Sequence, residues 1–126
     1  MKSFNKIFIQ CKAYDLVIID GDKLKVTYAS YCVKNNCLYV LPYDDTNITV
    51  PYGRYEDISI LTTSGDCSID LVKSSINQLT FDSDTGDLVI DAPVDELAFN
   101  SLGDVYARED SPIQEMVHCS SYEERS

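Results

Sequence analysis

The chain has no tryptophan and a single histidine, His118, among its 126 residues. One histidine supplies no Ser-His or Cys-His array that sequence alone can argue, so the chain reads as a non-enzyme. Basic residues are also scarce. Ten Lys and Arg stand against twenty-one Asp and Glu, a net charge of −11. That balance disfavours direct contact with a nucleic-acid backbone or an anionic membrane. No apolar run approaches the roughly 18 residues that a membrane-spanning helix needs. Residues 1–10 alternate apolar and polar without the apolar centre of a secretory leader, which predicts a cytoplasmic protein. The five cysteines, at 11, 32, 37, 67 and 119, are odd in number and loosely spaced, which argues against a disulfide framework. No phosphate-binding loop, dinucleotide fingerprint or nucleophile elbow is present.

What the chain does have is one pattern met three times. Ser59-Ile60-Leu61-Thr62-Thr63-Ser64-Gly65-Asp66, Thr80-Phe81-Asp82-Ser83-Asp84-Thr85-Gly86-Asp87 and Ala98-Phe99-Asn100-Ser101-Leu102-Gly103-Asp104 each join a strand-like run to a polar turn. The glycines recur at steps of 21 and 17 residues, about the length of two short strands and two turns. Ile58, Ile60, Ile69, Leu71, Leu79, Phe81, Leu88, Ile90, Leu97 and Phe99 alternate within their runs and so face one core. The fold class this predicts is all-β: a single-stranded β-solenoid with coils of about 17–21 residues, repeating over 57–107 within one domain, 1–119.

Upstream, Phe4 to Cys11 reads as a strand. Leu16 to Ile19 and Leu24 to Tyr28 read as a hairpin about Asp20-Gly21-Asp22, and Asn35-Asn36 as a turn between two further strands. Downstream, Ser111-Pro112 followed by Ile113, Met116 and Val117 predicts a short capping helix over about 112–118. Residues 120–126 read as a flexible acidic tail.

In its order of motifs the chain resembles the bacterial adhesin-like β-solenoid domains of unknown function. Lys6-Ile7-Phe8-Ile9, Asp15-Leu16-Val17-Ile18 and Leu24-Lys25-Val26 look like that family's first coil. Ile48 to Gly53 looks like its approach to the repeats, and the Ser/Thr-Gly-Asp turns at 64–66 and 85–87 look like its coil turns. The resemblance implies a β-solenoid and no catalytic residues or cofactor.

Several motifs invite sharper readings. Asp84-Thr85-Gly86 matches the aspartic-protease triplet, but that chemistry needs two facing carboxylates and the triplet sits inside a recurring turn. Asp82-x-Asp84-x-Gly86-Asp87 lacks the later ligands of a calcium loop. Cys32, Cys37, His118 and Cys119 form a candidate zinc set, against which stand the loose first spacing and the adjacent His-Cys pair. Asn47-Ile48-Thr49 is a formal glycosylation sequon.

Charge then directs the functional expectation. Residues 1–35 carry a balance of +3 and residues 36–126 one of −14. Carboxylates spaced along stacked strands present a line of negative charge, a rough stand-in for a phosphate backbone. The expected function is a protein-interaction module docking on a basic, nucleic-acid-handling protein, of the inhibitor type carried by phages and mobile elements, anti-CRISPR proteins among them. The alternative is an adhesin-like, envelope-associated scaffold. The residues expected to bind the partner are Asp44, Asp45, Asp70, Asp82, Asp84, Asp87, Asp91 and Asp104, with Tyr43 and Tyr52 as aromatic anchors.

Overall fold

Alternating apolar and polar residues build thirteen strands in the computed structural model, which describes residues 3–107 and 113–118. They are β1 Lys6–Gln10, β2 Leu16–Gly21, β3 Lys25–Val26, β4 Ala29–Lys34, β5 Cys37–Pro42, β6 Thr46–Pro51, β7 Arg54–Leu61, β8 Cys67–Asp70, β9 Ser75–Asp82, β10 Leu88–Asp91, β11 Val94–Asn100, β12 Val105–Ala107 and β13 Ile113–His118. No helix occurs among the described residues, so none there could cross a membrane. The strands form two mixed sheets. One has seven strands in the order β13-β11-β9-β7-β1-β5-β4, the other six in the order β12-β10-β8-β2-β6-β3.

This overturns the expected β-solenoid with a C-terminal helix. One continuous winding would place each segment beside its sequence neighbours. Instead β1 lies between β7 and β5, and β2 between β8 and β6. At one edge β4 pairs antiparallel with β5, and β3 antiparallel with β6. The expected capping helix is strand β13, paired parallel to β11 with Val94 opposite Ile113 and Phe99 opposite His118. Pairing with an open sheet edge outweighs the short helical stripe, because a strand there satisfies backbone groups that β11 would otherwise leave unpaired.

The expected hairpin about Asp20-Gly21-Asp22 does not form either. β6 separates β2 from β3, and Asp20 turns to a distant loop. Its carboxylate accepts the Val72 and Lys73 N–H groups at 2.9 and 2.8 Å and the Ser74 hydroxyl at 2.8 Å. Partial burial pushes this carboxyl up, but the three donors together outweigh it and hold it below its ordinary value of 3.8. A depressed carboxylate contributes stability that is present above its unfolded value and lost as pH falls through the folded one. Asp20→Asn therefore flattens the acid limb of the stability curve below about pH 4, read by urea unfolding from pH 2 to 7. The Asn35-Asn36 turn does join β4 to β5, both residues left-handed at φ 54° and 66°, as a two-residue hairpin requires.

The core lies between the sheets as in-register columns. Ile9, Ile60, Phe81 and Phe99 form one column, and Ile7, Ile58, Leu79 and Leu97 the next. Leu16, Cys67 and Leu88 face them from the second sheet, with Ile18, Ile69 and Ile90 beside them. All are buried. The parallel register brings identical positions of successive layers together, so each column is apolar throughout.

Candidate functional site

At the start of the six-stranded sheet, the turns of successive layers interlock through three buried hydroxyls. Thr62 Oγ1 donates to the Lys12 carbonyl at 2.8 Å and accepts the Gly65 N–H at 3.3 Å. Ser83 bridges Thr63 and Gly86 in the same way, and Ser101 bridges Gly86 and Gly103. Each hydroxyl satisfies a carbonyl of one layer and an N–H of the next, groups that burial would otherwise leave unpaired. This seating delivers the residue after each glycine to one place in its layer.

That residue is aspartate, and the aspartates form a ladder. The Asp15 N–H donates to Asp45 Oδ1 at 3.0 Å, the Asp66 N–H to Asp15 Oδ1 at 3.0 Å, the Asp87 N–H to Asp66 Oδ1 at 2.9 Å, and the Asp104 N–H to Asp87 Oδ1 at 2.7 Å. The Tyr106 hydroxyl closes the series on Asp104 Oδ2 at 3.1 Å. Both the hydrogen bond to Asp104 and its charge raise the Tyr106 phenol above its ordinary value, so it stays a donor at neutral pH. Asp44 Oδ1 accepts the Asp45 N–H at 2.7 Å at the opposite end.

Five carboxylates thus stand about 4.8 Å apart along the stack, a row about 19 Å long. Two unit charges at that separation repel by about 1 kcal/mol even in water. The charge-assisted bond that each carboxylate accepts offsets part of this. Among the described residues the ion pair is Arg54 with Asp95, at 2.6 Å on the other sheet. No described cation neutralises the ladder.

The other expected contact residues are scattered relative to this row. Asp70 and Asp91 lie opposite one another on the outer face of the same sheet. Asp82 belongs to the seven-stranded sheet, where it accepts a bond from Asn100 at 3.2 Å. Asp84 is exposed in its turn. Tyr43 is exposed beside Asp44. Tyr52 follows β6 at the far end of the strands, under the Lys73 ammonium, whose Nζ is 5.1 Å from the ring centre. It shares no surface with the ladder.

Sequence reasoning did not place Asp15, Asp66 and Tyr106 in this row. The missed signal was phase: Asp15, Asp45, Asp66, Asp87 and Asp104 each immediately precede an inward residue that begins a strand of one sheet.

The cysteines do not converge. Cys32 and Cys37 lie on the β4–β5 hairpin, whereas His118 ends β13 at the opposite edge of the seven-stranded sheet, five to six strand spacings or about 24–29 Å away. Cys119 lies outside the described residues. No group of three or more potential ligands is placed to hold a metal among the described residues. Burial raises the Cys67 thiol far above its usual range, and burial likewise raises Cys37. Burial, then the nearby Asp20 charge, pushes the Tyr55 phenol to about 12, and it donates to the Pro51 carbonyl.

No family model matches the chain, and no curated protein matches it. Among solved structures, a Bacteroides fragilis protein described as a putative adhesin is similar over 94% of this chain and 91% of its own, at 12% identity and a TM-score of 0.29. So weak a likeness carries no argument about this chain's fold or function.

Proposed function

We propose that the protein is a non-enzymatic binding module whose aspartate ladder docks on a basic surface of a partner protein. The observation that carries this reading is the row Asp45, Asp15, Asp66, Asp87, Asp104, held in register by backbone N–H groups. A row of like charges destabilises the free protein, and a row of cations relieves that repulsion on contact. The partner is of the nucleic-acid-handling kind, because such proteins carry cations in lines. Neither the geometry nor the comparisons supports the narrower inhibitor class, which forms no part of the proposal.

The test uses a dodecalysine peptide as probe, titrated by calorimetry from 50 to 500 mM salt. Affinity is expected to fall steadily with salt. The triple variant Asp66→Asn, Asp87→Asn, Asp104→Asn keeps an oxygen to accept each N–H, so it folds, and loses affinity about thirtyfold at low salt. A control variant removes three charges elsewhere, as Asp82→Asn, Asp84→Asn and Glu96→Gln, and is expected to lose at most threefold. Equal losses in the two variants mean that only overall acidity matters, and the ladder reading fails. Flat affinity across salt sinks it as well.

A further inference from the structure

Among the described residues, β4 ends the seven-stranded sheet, with β5 on one side and no strand on the other. Its backbone phase is fixed by the hairpin. The Tyr43 N–H donates to the Tyr28 carbonyl at 3.0 Å, and residues 30, 32 and 34 continue that phase opposite Leu41, Tyr39 and Cys37. In an antiparallel pair the backbone groups of alternate residues turn toward the partner strand. The N–H and C=O groups of Ala29, Tyr31 and Val33 therefore turn away from the sheet. Such an edge is a template for another strand, and folded proteins blunt it by shortness, proline or charge. The matching edge of the other sheet, β3, is two residues long and carries Lys25. By contrast β4 has six residues, no proline, and a single charge at its last position, Lys34. Tyr31 stands on the same face as buried Val40, yet it is 52% exposed. The core thus opens to solvent at this edge.

We infer that this edge is covered by a second copy of the chain, the two β4 strands pairing antiparallel about a two-fold axis that sets Tyr31 opposite Tyr31 of the second copy. The inference goes beyond the docking reading and does not rest on it. The strand's own sequence chooses the occupant. With Tyr31 on the axis, Ala29 falls opposite Val33 of the second copy, and Val33 opposite its Ala29. The inward face then reads Ala-Tyr-Val against Val-Tyr-Ala, small against larger at each end and apolar throughout. It extends the core beyond Leu38 and Val40, which these residues face within one chain. All the outward-turned backbone groups of Ala29, Tyr31 and Val33 are then used, in about six hydrogen bonds; an axis on Cys32 strands Ala29 and keeps about four. A self-complementary patch is what a two-fold interface requires. Charge agrees. Strands β3, β4 and β5 hold Lys25 and Lys34 and no acid, in a chain of net charge −11. A basic partner finds no carboxylate on these strands, whereas two acidic copies meet there with the least repulsion.

Sedimentation velocity of the full chain from about 5 to 500 µM tests this. A monomer–dimer equilibrium is expected, with a Kd of roughly 20 µM. It should tighten a few-fold as salt rises, because salt screens the repulsion between two acidic bodies; lysine-peptide binding at the ladder moves the other way. Tyr31→Lys sets two ammonium groups face to face at the axis and is expected to weaken the dimer at least about thirtyfold. The dilute protein's unfolding midpoint should stay nearly unchanged. Val72→Lys makes the same charge change on an exposed loop and should leave the dimer intact. Ser30→Cys puts a thiol opposite Cys32 of the second copy. Mild oxidation should then give a covalent dimer whose peptides join positions 30 and 32. In the parent the two Cys32 thiols stand two residues out of step and should not join. A chain that is monomeric throughout overturns the inference and leaves the edge to a strand of another protein; the ladder reading stands either way. A dimer that survives Tyr31→Lys, or that Val72→Lys weakens equally, overturns it too. So does a Cys32-to-Cys32 link in the parent, which would put the axis elsewhere.

Discussion

Phe81→Ala is expected to lower the unfolding free energy by about 4 kcal/mol, the largest loss from a single side chain in this molecule. Phe81 is fully buried in the column Ile9, Ile60, Phe81, Phe99. Its ring stacks on Phe99 with centroids 5.7 Å apart and planes 11° from parallel. Truncation removes the ring's own burial and leaves a cavity against Phe99 and Ile60. The backbone cannot close that cavity, because hydrogen bonds to β7 and β11 hold Phe81 in register on both sides. The loss therefore lies near the middle of the range for buried aromatic residues. Leu61→Ala, one residue after Ile60 but facing outward at 39% exposure, is expected to stay within about 0.5 kcal/mol of the parent. Urea unfolding of the two variants checks both statements, and similar losses would show that the columns do not carry the stability.

The second large effect is expected at Gly86, where alanine costs about 3 kcal/mol. A Cβ on Gly86 would run into the Gly65 carbonyl and lie 2.9 Å from Ser83 Oγ. Both are fixed. Gly65 belongs to the neighbouring layer, and Ser83 Oγ accepts the Gly86 N–H and donates to Thr63. Relief needs the two layers to part, which breaks hydroxyl bridges and displaces Asp87 from the ladder. Gly21→Ala is the contrast. Its Cβ would meet Thr49 Cγ2 at 2.8 Å, a side chain near the surface that can turn, and the expected cost is about 1 kcal/mol. Thermal unfolding separates the two, at roughly 4 °C per kcal/mol for a chain of this size. A Gly86→Ala protein as stable as Gly21→Ala would mean that the layers are not seated on their glycines. Because this variant disturbs the ladder through the backbone, it should also weaken lysine-peptide binding, which Gly21→Ala, at the opposite end of β2 from Asp15, should spare.

Much of the secondary structure was legible because alternation is local. Ile58-Ser59-Ile60 or Leu88-Val89-Ile90 states which side chains face inward whatever lies across from them. Asn35-Asn36 was legible for a similar reason, since two adjacent asparagines tolerate the left-handed backbone of a tight hairpin. The errors came where a local signal competed with a distant partner. Asp20-Gly21-Asp22 reads as a turn residue by residue, yet Asp20 serves the N–H groups of Val72 and Lys73 some fifty residues on. Ile113, Met116 and Val117 have helical spacing, yet the exposed edge of β11 claims them as a strand. The carboxylate row was half legible. Asp45, Asp70, Asp87, Asp91 and Asp104 do share one sheet, while Asp82 and Tyr52 lie elsewhere, because an acid's sign can be read from sequence and its neighbours cannot.

By itself, then, the sequence determined that this chain is built of strands with apolar columns inside, that Gly-Asp turns join them, and that its later part is strongly acidic. Those properties follow from side-chain alternation, backbone freedom and charge, each set within a few residues. Tertiary structure alone decided that β1 and β2 insert between later strands, that Asp15 stands beside Asp66, and that Asp20 serves the loop after β8. Those depend on which strands meet and in what register, and sheet pairing joins residues that have no relation along the chain.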